Sequence, residues 1–392
     1  MSSLNDLETK IGIIGGGQLG KMMIQEAKKM GMFVTILDPA DNCPAHSIAD
    51  AHVVADFDDE AGLRKLAGQS DVLTYEFEHI GVDILQALEE EGHPVYPTPK
   101  SLAVIQNKLL QKTVLKREGL PVPAFLEVKG PEQLREMGDR LGFPFLLKAC
   151  TGGYDGKGNA LIQGPEDFDD AYRQLGSGDR PLMAEAFVPF EKEISVLACR
   201  GITGDIVVYP VAENVHQESI LIETRVPAEL SPAVADRAIQ MAHHVMEVFK
   251  GVGMFCVEMF VTHEGEVAIN EVAPRPHNSG HYSIEGCVTS QFEQHVRAIL
   301  GLPLGDTTLL RPTVMRNLLG EEGCTGKAYV TGVHEALGIS GVKLHIYGKQ
   351  DTKPKRKMGH ITVTAQSVDV AALNAKRATG QVKILSNEEE IS

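Results

Sequence analysis

The chain has 392 residues, of which 43% are hydrophobic and 23% are charged, and its formal net charge is −16 at pH 7. Its length predicts roughly two to four domains, and its composition is typical of a soluble globular protein. The acidic charge argues against nucleic acid or an anionic membrane as a partner, and no apolar run is long enough to span a bilayer. The six cysteines are scattered without zinc-binding spacing. Since a signal-peptide core is also missing, we expect buried free thiols in a cytoplasmic protein.

Residues 1–100 are predicted to form a Rossmann-like domain. It opens with a βαβ pattern whose strand, glycine turn, helix and second strand occupy residues 10–14, 15–20, 21–30 and 32–37. The turn reads Gly-Gly-Gly-Gln-Leu-Gly and the second strand ends at Asp38, which is the fingerprint of a dinucleotide site. The same glycines also suit a tight turn that binds nothing, or binds a different anion. The remaining elements are strands and helices expected at 53–54, 59–68, 72–75 and 81–91.

Residues 101–305 are predicted to form a second domain, which follows a proline-rich boundary near residue 100. One helix is expected over residues 101–118, with Ser101 as its N-cap. Residues 124–183 are predicted to be a mobile α/β subdomain because they contain a glycine-rich loop. A long helix is then expected at 231–250, with strands at 203–209 and 267–272.

The glycine-rich loop Thr151-Gly-Gly-Tyr-Asp-Gly-Lys-Gly158 follows an apolar run that ends at Lys148. Glycines allow the backbone to approach a ligand and to point N–H groups at phosphate, and Lys148 adds a positive charge. The loop is not a Walker A motif, because Lys157 is followed by glycine and not by Ser or Thr. The pattern predicts the phosphate-binding flap of an ATP-grasp ligase. The alternative is an ordinary glycine-rich hairpin turn.

The segment Glu185-Ala-Phe-Val188 ends a predicted strand and suits adenine. Strand-edge amides and carbonyls can bind the edge of the adenine ring, while Phe187 and Val188 line its pocket. Glu193 could accept hydrogen bonds from the ribose hydroxyls. His216 could contact ATP or could cap an edge of the core.

Two acids, Glu258 and Glu271, lie in apolar strand patterns on either side of the polar turn 263–266. This arrangement predicts a hairpin that brings the two carboxylates together. Clustered carboxylates repel one another unless a cation or a proton intervenes, and Mg²⁺ bound to ATP is the natural cation. The alternative is that each acid has its own Lys or Arg partner.

The segment 270–281, Asn-Glu-Val-Ala-Pro-Arg-Pro-His-Asn-Ser-Gly-His, concentrates different hydrogen-bonding side chains between stiffening prolines. We expect Arg275 to fork onto a phosphate or a carboxylate, with His277 and Asn278 beside it. The alternative is an ordered β-turn cluster.

Residues 306–386 are predicted to form a small β-rich domain with strands at 342–347 and 360–364, followed by an acidic tail at 387–392. A basic run lies between these two strands and consists of Lys349, Lys353, Lys355, Arg356 and Lys357. It is interpreted either as an inward-facing anion site or as a solvated face.

Taken together, these motifs resemble those of the N5-carboxyaminoimidazole ribonucleotide synthases, ATP-grasp ligases of purine synthesis. The resemblance extends over nearly the whole chain and rests on segments 15–22, 74–79, 151–158, 185–188, 270–281 and 356–360. It implies a Rossmann-like domain, an ATP-grasp domain and a C-terminal β-rich domain. It also implies ATP, bicarbonate and 5-aminoimidazole ribonucleotide as substrates, carboxyphosphate as an intermediate, Mg²⁺ as cofactor and a homodimer.

The resemblance also implies roles for individual residues. The nucleotide-binding positions of the family match Lys108, Lys148, Gly153, Tyr154, Asp155, Gly156, Lys157, Gly158, Glu185, Ala186, Phe187, Val188, Glu193, His216, Asn270 and Glu271. Its substrate-binding positions match Gln18, Glu76, Tyr154, Asp155, Arg275, His277, Asn278, Lys349 and Arg356, with Lys353 as an alternative to Lys349. Its metal ligands match Glu258 and Glu271, and its catalytic positions match Tyr154, Asp155, Lys157 and Arg275. Asn107-Lys108 departs mildly from the family, in which an acid often precedes Arg or Lys.

Three competing interpretations remain at this point. A formyltransferase or another carboxylating ATP-grasp enzyme would not need the segment 270–281. An NAD-dependent oxidoreductase would use the first glycine turn and Asp38, but it would leave Glu258 and Glu271 unexplained. A non-catalytic nucleotide-binding regulator would not need paired acids beside a substrate cluster.

Overall fold

The computed structural model describes residues 9–153 and 158–386. The expectations for Tyr154, Asp155, Gly156, Lys157 and the tail 387–392 therefore lie outside the described residues. The described part contains a parallel N-terminal sheet, a small antiparallel sheet and a long antiparallel main sheet. The functional side chains predicted above lie where these three sheets approach one another.

The N-terminal part confirms the βαβ prediction and forms a parallel sheet with strand order β3-β2-β1-β4. Its elements are β1 (Lys10–Ile14), α1 (Gln18–Lys29), β2 (Phe33–Leu37), β3 (Ala51–Val53), α2 (Glu60–Ala67), β4 (Val72–Tyr75) and α3 (Val82–Glu90). Its strands are apolar runs because helices cover both faces of a parallel sheet. Ile13 packs with Met23 of α1, whereas the next residue, Ile14, packs with Leu63 of α2.

The single helix expected at 101–118 is wrong, since two helices replace it: α4 (Pro99–Ile105) and α5 (Lys108–Arg117). The Thr98 side chain caps α4 by accepting from the Ser101 N–H, so Ser101 is not the cap. The Asn107 side chain caps α5 by accepting from the backbone N–H groups of Leu109 and Leu110 in its first turn. The chain breaks at this point because Asn favours capping over helix interiors. The break makes Lys108 the first residue of α5.

The small sheet is antiparallel with strand order β5-β8-β6-β7. Its elements are β5 (Phe125–Val128), α6 (Leu134–Leu141), β6 (Phe145–Ala149), β7 (Asn159–Ile162), α7 (Phe168–Gln174) and β8 (Leu182–Ala186). The glycine-rich loop connects β6 to β7, and Lys148 pairs with Asn159 at its base. The loop is therefore a hairpin connection whose two ends are held together by the sheet.

The main sheet has the order β14-β13-β9-β11-β12-β15-β19-β17, and β10 pairs with β9. Its central elements are β9 (Phe190–Arg200), β10 (Ile206–Val208), β11 (Ala212–Gln217), β12 (Ile220–Val226), α8 (Pro232–Phe249), β13 (Gly253–Thr262), β14 (Val267–Ala273), α9 (Ser283–Gly286) and α10 (Gln291–Ile299). The long helix is confirmed, with Ser231 as its N-cap. Met241 of α8 packs on Val257 and Ile269, which closes one face of the sheet around the predicted hairpin.

The C-terminal part continues the main sheet with three strands, because β15 pairs with β12 and is followed by β19 and β17. Its other three strands form a separate sheet with the order β18-β16-β20. Its elements are β15 (Thr313–Leu319), β16 (Gly326–Thr331), α11 (Val333–Leu337), β17 (Val342–Ile346), β18 (Asp351–Thr352), β19 (Lys357–Thr364), α12 (Val368–Gln381) and β20 (Lys383–Ser386). The strands expected at 342–347 and 360–364 are confirmed. The strands before and after the predicted domain boundary at residue 305, β12 and β15, are thus joined by backbone hydrogen bonds.

Two expectations from composition concern cysteines and membranes. All six cysteines are free thiols, and every one except the half-buried Cys324 is buried. Among the residues that the structure describes, no helix has both the length and the apolar character that a membrane span requires.

Candidate active site

The predicted hairpin is confirmed and places two carboxylates side by side. Strands β13 and β14 pair with Glu258 directly opposite Glu271. Burial, and then the charge of Glu271, raise the pKa of Glu258 to about 7. A repulsive carboxylate pair of this kind is relieved by a proton or by a cation. The two carboxylates lie on paired strands and both carry negative charge. They therefore fit a hard divalent cation such as Mg²⁺, which prefers oxygen ligands.

The two acids of the hairpin have different neighbours. Glu271 forms an ion pair with Lys108 at 2.5 Å, so the alternative of a private basic partner holds for Glu271. Glu258 instead faces the imidazole of His277, with Nε2 3.3 Å from its Oε1. Burial, and then the charge of Arg275, lower the pKa of His277 well below its usual range, so this imidazole is neutral. Lys108 comes from α5, whereas His277 follows β14. The carboxylate pair thus lies between the nucleotide-side candidates around Lys108 and the substrate-side candidates around His277.

A buried network of charges connects the predicted adenine segment to the hairpin. Glu185 is 1% exposed and pairs with two lysines, Lys148 and Lys112, the latter at 2.6 Å. Burial raises the pKa of Glu185, but the charges of both lysines outweigh burial and lower it overall. The Lys112 ammonium also donates to the backbone carbonyl of Asn270 at 2.9 Å. Lys112 therefore ties strand β8 to strand β14, next to the metal candidate Glu271.

The nucleotide-side candidates after β8 lie on an open edge. Phe187 is 44% exposed, whereas Ala186 and Val188 are half-buried. Glu193 on β9 hydrogen-bonds the imidazole of His216 on β11. Burial lowers the pKa of His216, but the bond to Glu193 outweighs burial and raises it overall. The Glu193–His216 pair therefore lies on the main sheet beyond the predicted adenine segment.

The substrate-side candidates form their own hydrogen-bonded cluster. Arg275 forks onto the carboxylate of Glu78, with Nε at 2.5 Å and an Nη at 3.1 Å. Burial raises the pKa of Glu78, but the charge of Arg275 outweighs it and lowers the pKa to about 2. Asn278 exchanges two amide hydrogen bonds with Asn317, at 2.7 and 3.0 Å. Arg275 thus makes the predicted two-pronged contact, but with the carboxylate of Glu78 in the protein itself.

A narrow cleft lies between the two groups of side chains. It is lined by residues of the N-terminal part, α5, the glycine-rich loop and β14, including Glu78, Lys108, Gly152, Gly153 and Glu271. At the end of the loop, Gly158 has φ +87°, and a Cβ there would lie 3.2 Å from the Cα of Gly153. Glycine is needed at 158 because the two strands of the loop base approach so closely.

The first glycine turn is occupied by carboxylates of the protein itself. Glu76 accepts from the N–H groups of Gly17 and Gly20 at 2.5 and 2.7 Å, and Asp38 accepts from Gly16 at 2.8 Å. Burial raises the pKa of Glu76. The N–H groups that would bind a pyrophosphate in a dinucleotide site are therefore already bound. The dinucleotide interpretation of the turn and of Asp38 is wrong for this reason.

The C-terminal basic run reaches the first glycine turn. Lys21 of α1 donates to the carbonyl oxygen of Tyr347 at 2.9 Å. The charge of Lys349, two residues later, acts on the carboxylate of Glu76. Arg356 is half-buried and donates to the carbonyl of Asp351, which keeps it on the same loop. Lys349 thus lies near Glu76, although it comes from the opposite end of the chain. Gln18 begins α1 directly after Gly17, which donates to the same carboxylate.

Three family profiles match successive parts of the chain. They describe a ribonucleotide synthetase preATP-grasp domain at residues 8–106, an ATP-grasp domain at 113–292 and a phosphoribosylaminoimidazole carboxylase C-terminal domain at 313–373. The N5-carboxyaminoimidazole ribonucleotide synthase of Bacillus subtilis is 43% identical over 361 residues, which cover 92% of each chain. The chain belongs to this family. The fold is accordingly that of an ATP-grasp ligase, and the enzyme class is an ADP-forming ligase.

Solved structures of N5-carboxyaminoimidazole ribonucleotide synthases agree with this assignment. The Thermotoga maritima enzyme is 46% identical, with a TM-score of 0.88 over 97% of this chain and 100% of that chain. The Aspergillus clavatus enzyme is 35% identical, with a TM-score of 0.88 over 95% of this chain and 98% of that chain. The latter structure holds ADP and 5-aminoimidazole ribonucleotide.

Within this synthase fold, three charged residues of the site were not predicted from the sequence. Lys112 lies one helical turn after Lys108, and this i,i+4 spacing on one face of α5 was an available signal. Glu78 and Lys21 lie inside motifs that were recognised, but their partners Arg275 and Tyr347 are 197 and 326 residues away. No local pattern indicates pairs of such separation.

Proposed function

We propose that this protein carboxylates 5-aminoimidazole ribonucleotide with bicarbonate and ATP, giving N5-carboxyaminoimidazole ribonucleotide, ADP and phosphate for purine biosynthesis. One observation carries the proposal: Glu271 contacts Lys108 at 2.5 Å on the nucleotide side, while Glu258, directly opposite, contacts His277 at 3.3 Å on the substrate side. A cation held by this pair would lie between a triphosphate and the group that attacks it. That position suits a phosphoryl transfer between two anions.

The proposed reaction has two steps. A bicarbonate oxygen attacks the γ-phosphorus of ATP, and the bond to the β-phosphate oxygen breaks to give carboxyphosphate and ADP. The exocyclic amine of the ribonucleotide then attacks the carboxyl carbon, or CO2 released from carboxyphosphate, and phosphate and one proton leave. Lys108 and Lys148 would bind the phosphate oxygens, and the glycine-rich loop would close over the intermediate to exclude water.

The metal candidates fit Mg²⁺ because they are oxygen ligands with surplus negative charge, as the raised pKa of Glu258 indicates. When bound, Mg²⁺ would screen the charge that develops between bicarbonate and ATP. Arg275, fixed by Glu78, and the neutral His277 would orient bicarbonate on the other side of Glu258. A catalytic role is therefore proposed for Arg275, and also for Tyr154, Asp155 and Lys157, which lie outside the described residues.

The remaining roles complete the proposal. The adenine and ribose would be bound by the segment 185–188, Glu193 and His216, and the triphosphate by Asn270 and the loop 153–158. The ribonucleotide would be bound by Gln18, Glu76, Asn278, Lys349 and Arg356, which come from all three parts of the chain. A homodimer and a cytoplasmic location are further proposals, supported by the family resemblance and by the acidic, cysteine-containing composition.

The test is phosphate release from ATP, measured with and without 5-aminoimidazole ribonucleotide and bicarbonate. We expect ADP, phosphate and N5-carboxyaminoimidazole ribonucleotide to form in equal amounts, and only when both the ribonucleotide and bicarbonate are present. Replacing bicarbonate with formate tests for a formyltransferase and should give no formylated product. Release of AMP and pyrophosphate, or reduction of NAD, would overturn the proposal.

A further inference from the structure

A thiol lies beside the proposed magnesium ligands, and the proposed reaction does not use it. Cys256 and Glu258 are two residues apart on β13, so their side chains point to the same face of the sheet. One ligand atom from each of Cys256, Glu258 and His277 lies within 4.8 Å of the other two. The three side chains thus converge on one point beside the Glu258–Glu271 pair.

Thiolate, imidazole and carboxylate are together a ligand set for zinc and similar cations, whereas Mg²⁺ prefers oxygen ligands alone. We propose that Cys256, Glu258 and His277 form an inhibitory site for Zn²⁺ or another thiophilic divalent cation, which shares Glu258 with the proposed Mg²⁺ site. Three protein ligands would leave a fourth position of a tetrahedral ion open to water.

The surroundings of the three side chains support such a site. The Ser279 hydroxyl lies 2.9 Å from Nδ1 of His277 and 3.5 Å from Sγ of Cys256. One hydroxyl therefore orients two of the three ligands, as outer-shell groups do in metal sites. Cys256 is fully buried, but the side chains of His277 and Glu258 are 18% and 26% exposed. Two of the three ligands are therefore accessible to a cation from solvent, and the buried thiol lies next to them.

Binding of Zn²⁺ or a similar cation would release a proton and would stop turnover. The Cys256 thiol loses its proton to solvent when the sulfur–metal bond forms. Glu258 and His277 would then be unavailable to Mg²⁺ and to bicarbonate, so turnover stops until the cation leaves. This consequence for turnover rests on the proposed function, whereas the binding itself does not.

The functional test measures inhibition by buffered free Zn²⁺ in the full-length protein, relative to the activity of each variant without zinc. Cys256→Ser keeps the size of the side chain and a hydrogen bond to Ser279 but removes the sulfur ligand. We expect the inhibition constant for Zn²⁺ to rise roughly tenfold or more, since even outer-shell changes weaken metal binding 10–100-fold. Cys324→Ser, at the half-buried cysteine, is the matched control and should leave inhibition unchanged.

The second test requires no turnover and so separates failure of this site from failure of the proposed reaction. Co²⁺ added to the protein should produce a sulfur-to-cobalt charge-transfer band with one ion per chain, and Cys256→Ser should abolish it. Zn²⁺ should displace the cobalt. If the band is absent, or if Zn²⁺ inhibits Cys256→Ser as strongly as the parent protein, the site does not exist and zinc acts only by replacing Mg²⁺ at Glu258 and Glu271. Cys256→Ala serves the same purpose if the serine variant folds poorly.

Discussion

Strand β8 of the small sheet and the β13–β14 hairpin of the main sheet each contain a glutamate with opposite electrostatic surroundings, and Glu185 is buried whereas Glu258 is half-buried. Glu185 on β8 lies between Lys112 and Lys148, and its pKa is lowered. Glu258 on β13 lies opposite a second carboxylate, and burial together with Glu271 raises its pKa to about 7. The same residue type is therefore neutralised by the chain in one region and left with surplus negative charge in the other.

This difference separates a charge that stabilises the fold from a charge that favours binding of a cation. A buried acid with its own lysines stabilises the arrangement of strands around it, because removing one partner leaves the other charge uncompensated. A buried acid without such a partner lowers stability in the free protein and becomes favourable only when a cation binds. We expect substitutions in the two regions to separate stability from activity accordingly.

The largest expected effect is on turnover at the hairpin. Glu258→Gln keeps the shape of the side chain but removes the charge, so turnover should fall roughly a hundredfold or more through loss of the bound cation. The free energy of unfolding without Mg²⁺ should stay the same or rise, because a repulsive pair is removed. Steady-state kinetics and urea denaturation of the same preparations measure both quantities.

Glu271→Gln is the companion variant, because Glu271 also pairs with Lys108. It should lose turnover to a similar extent, but its stability should fall as well, since Lys108 loses its partner. If Glu258→Gln or Glu271→Gln folds and keeps near-normal turnover at saturating Mg²⁺ and ATP, the proposed metal site is wrong.

The next effect is on the free energy of unfolding and concerns the network of Glu185, Lys112 and Lys148. Glu185→Gln leaves two buried lysines without their carboxylate, and the free energy of unfolding should fall by about 3–5 kcal/mol. Glu136→Gln removes an exposed pair with Arg140 and should cost at most about 1 kcal/mol. Equal stability of the Glu185 and Glu136 variants in urea would contradict the structural role of this network.

The third effect concerns binding of ATP. Lys148→Ala should weaken ATP binding by roughly 1.5–3 kcal/mol, the value of a charge-assisted phosphate contact. Titration calorimetry of ATP with Mg²⁺ measures this change. Lys129→Ala, an exposed lysine of the same subdomain, should bind ATP as the parent protein does. Unchanged ATP affinity in the Lys148 variant would exclude that lysine from the phosphate site.

The fourth effect concerns binding of the ribonucleotide by the basic side chains of residues 349–357. Arg356→Ala should raise the KM for 5-aminoimidazole ribonucleotide roughly tenfold, equivalent to about 1.4 kcal/mol, with little change in the KM for ATP. Its neighbour Lys355 pairs with Glu218 at the surface, so Lys355→Ala should change neither constant. An equal rise in both constants for Arg356→Ala would indicate a general closure defect.

The last effect is a dependence on pH. Because the pKa of Glu258 is about 7 in the folded protein and near 4.5 when exposed, the folded state holds the extra proton between these values. The free energy of unfolding should therefore decrease as pH rises through this window. The affinity for Mg²⁺, which needs the carboxylate, should be about tenfold lower at pH 6 than on its plateau above pH 7. Glu258→Gln should lose both dependences in calorimetry at matched pH values, and a parent protein without them would contradict the raised pKa.

Much of the site was predictable because its signals are local. The turn at 263–266 between two apolar runs predicts the hairpin and so brings the two acids close together. The register that starts at the turn would pair Glu258 with Asn270, and a one-residue shift beside Glu258 gives the observed pair with Glu271. The glycine-rich loop was recognisable from composition, and Lys148 from its place at the end of β6. The helix break at Asn107 was missed because a continuous helical pattern competes with an internal cap, and only the observed hydrogen bonds favour the cap.

By itself, the sequence determined the family, the order of its elements and the carboxylate pair, since each depends on a periodic pattern or on residues close together in the chain. Only the tertiary structure decided which charges neutralise one another, Arg275 with Glu78 and Lys112 with Glu185, and that Lys21 donates to the Tyr347 carbonyl. It also decided that the first glycine turn binds Glu76 and not a nucleotide. The physical reason is that electrostatic pairing depends on distance and burial in space, and neither quantity has a period along the chain.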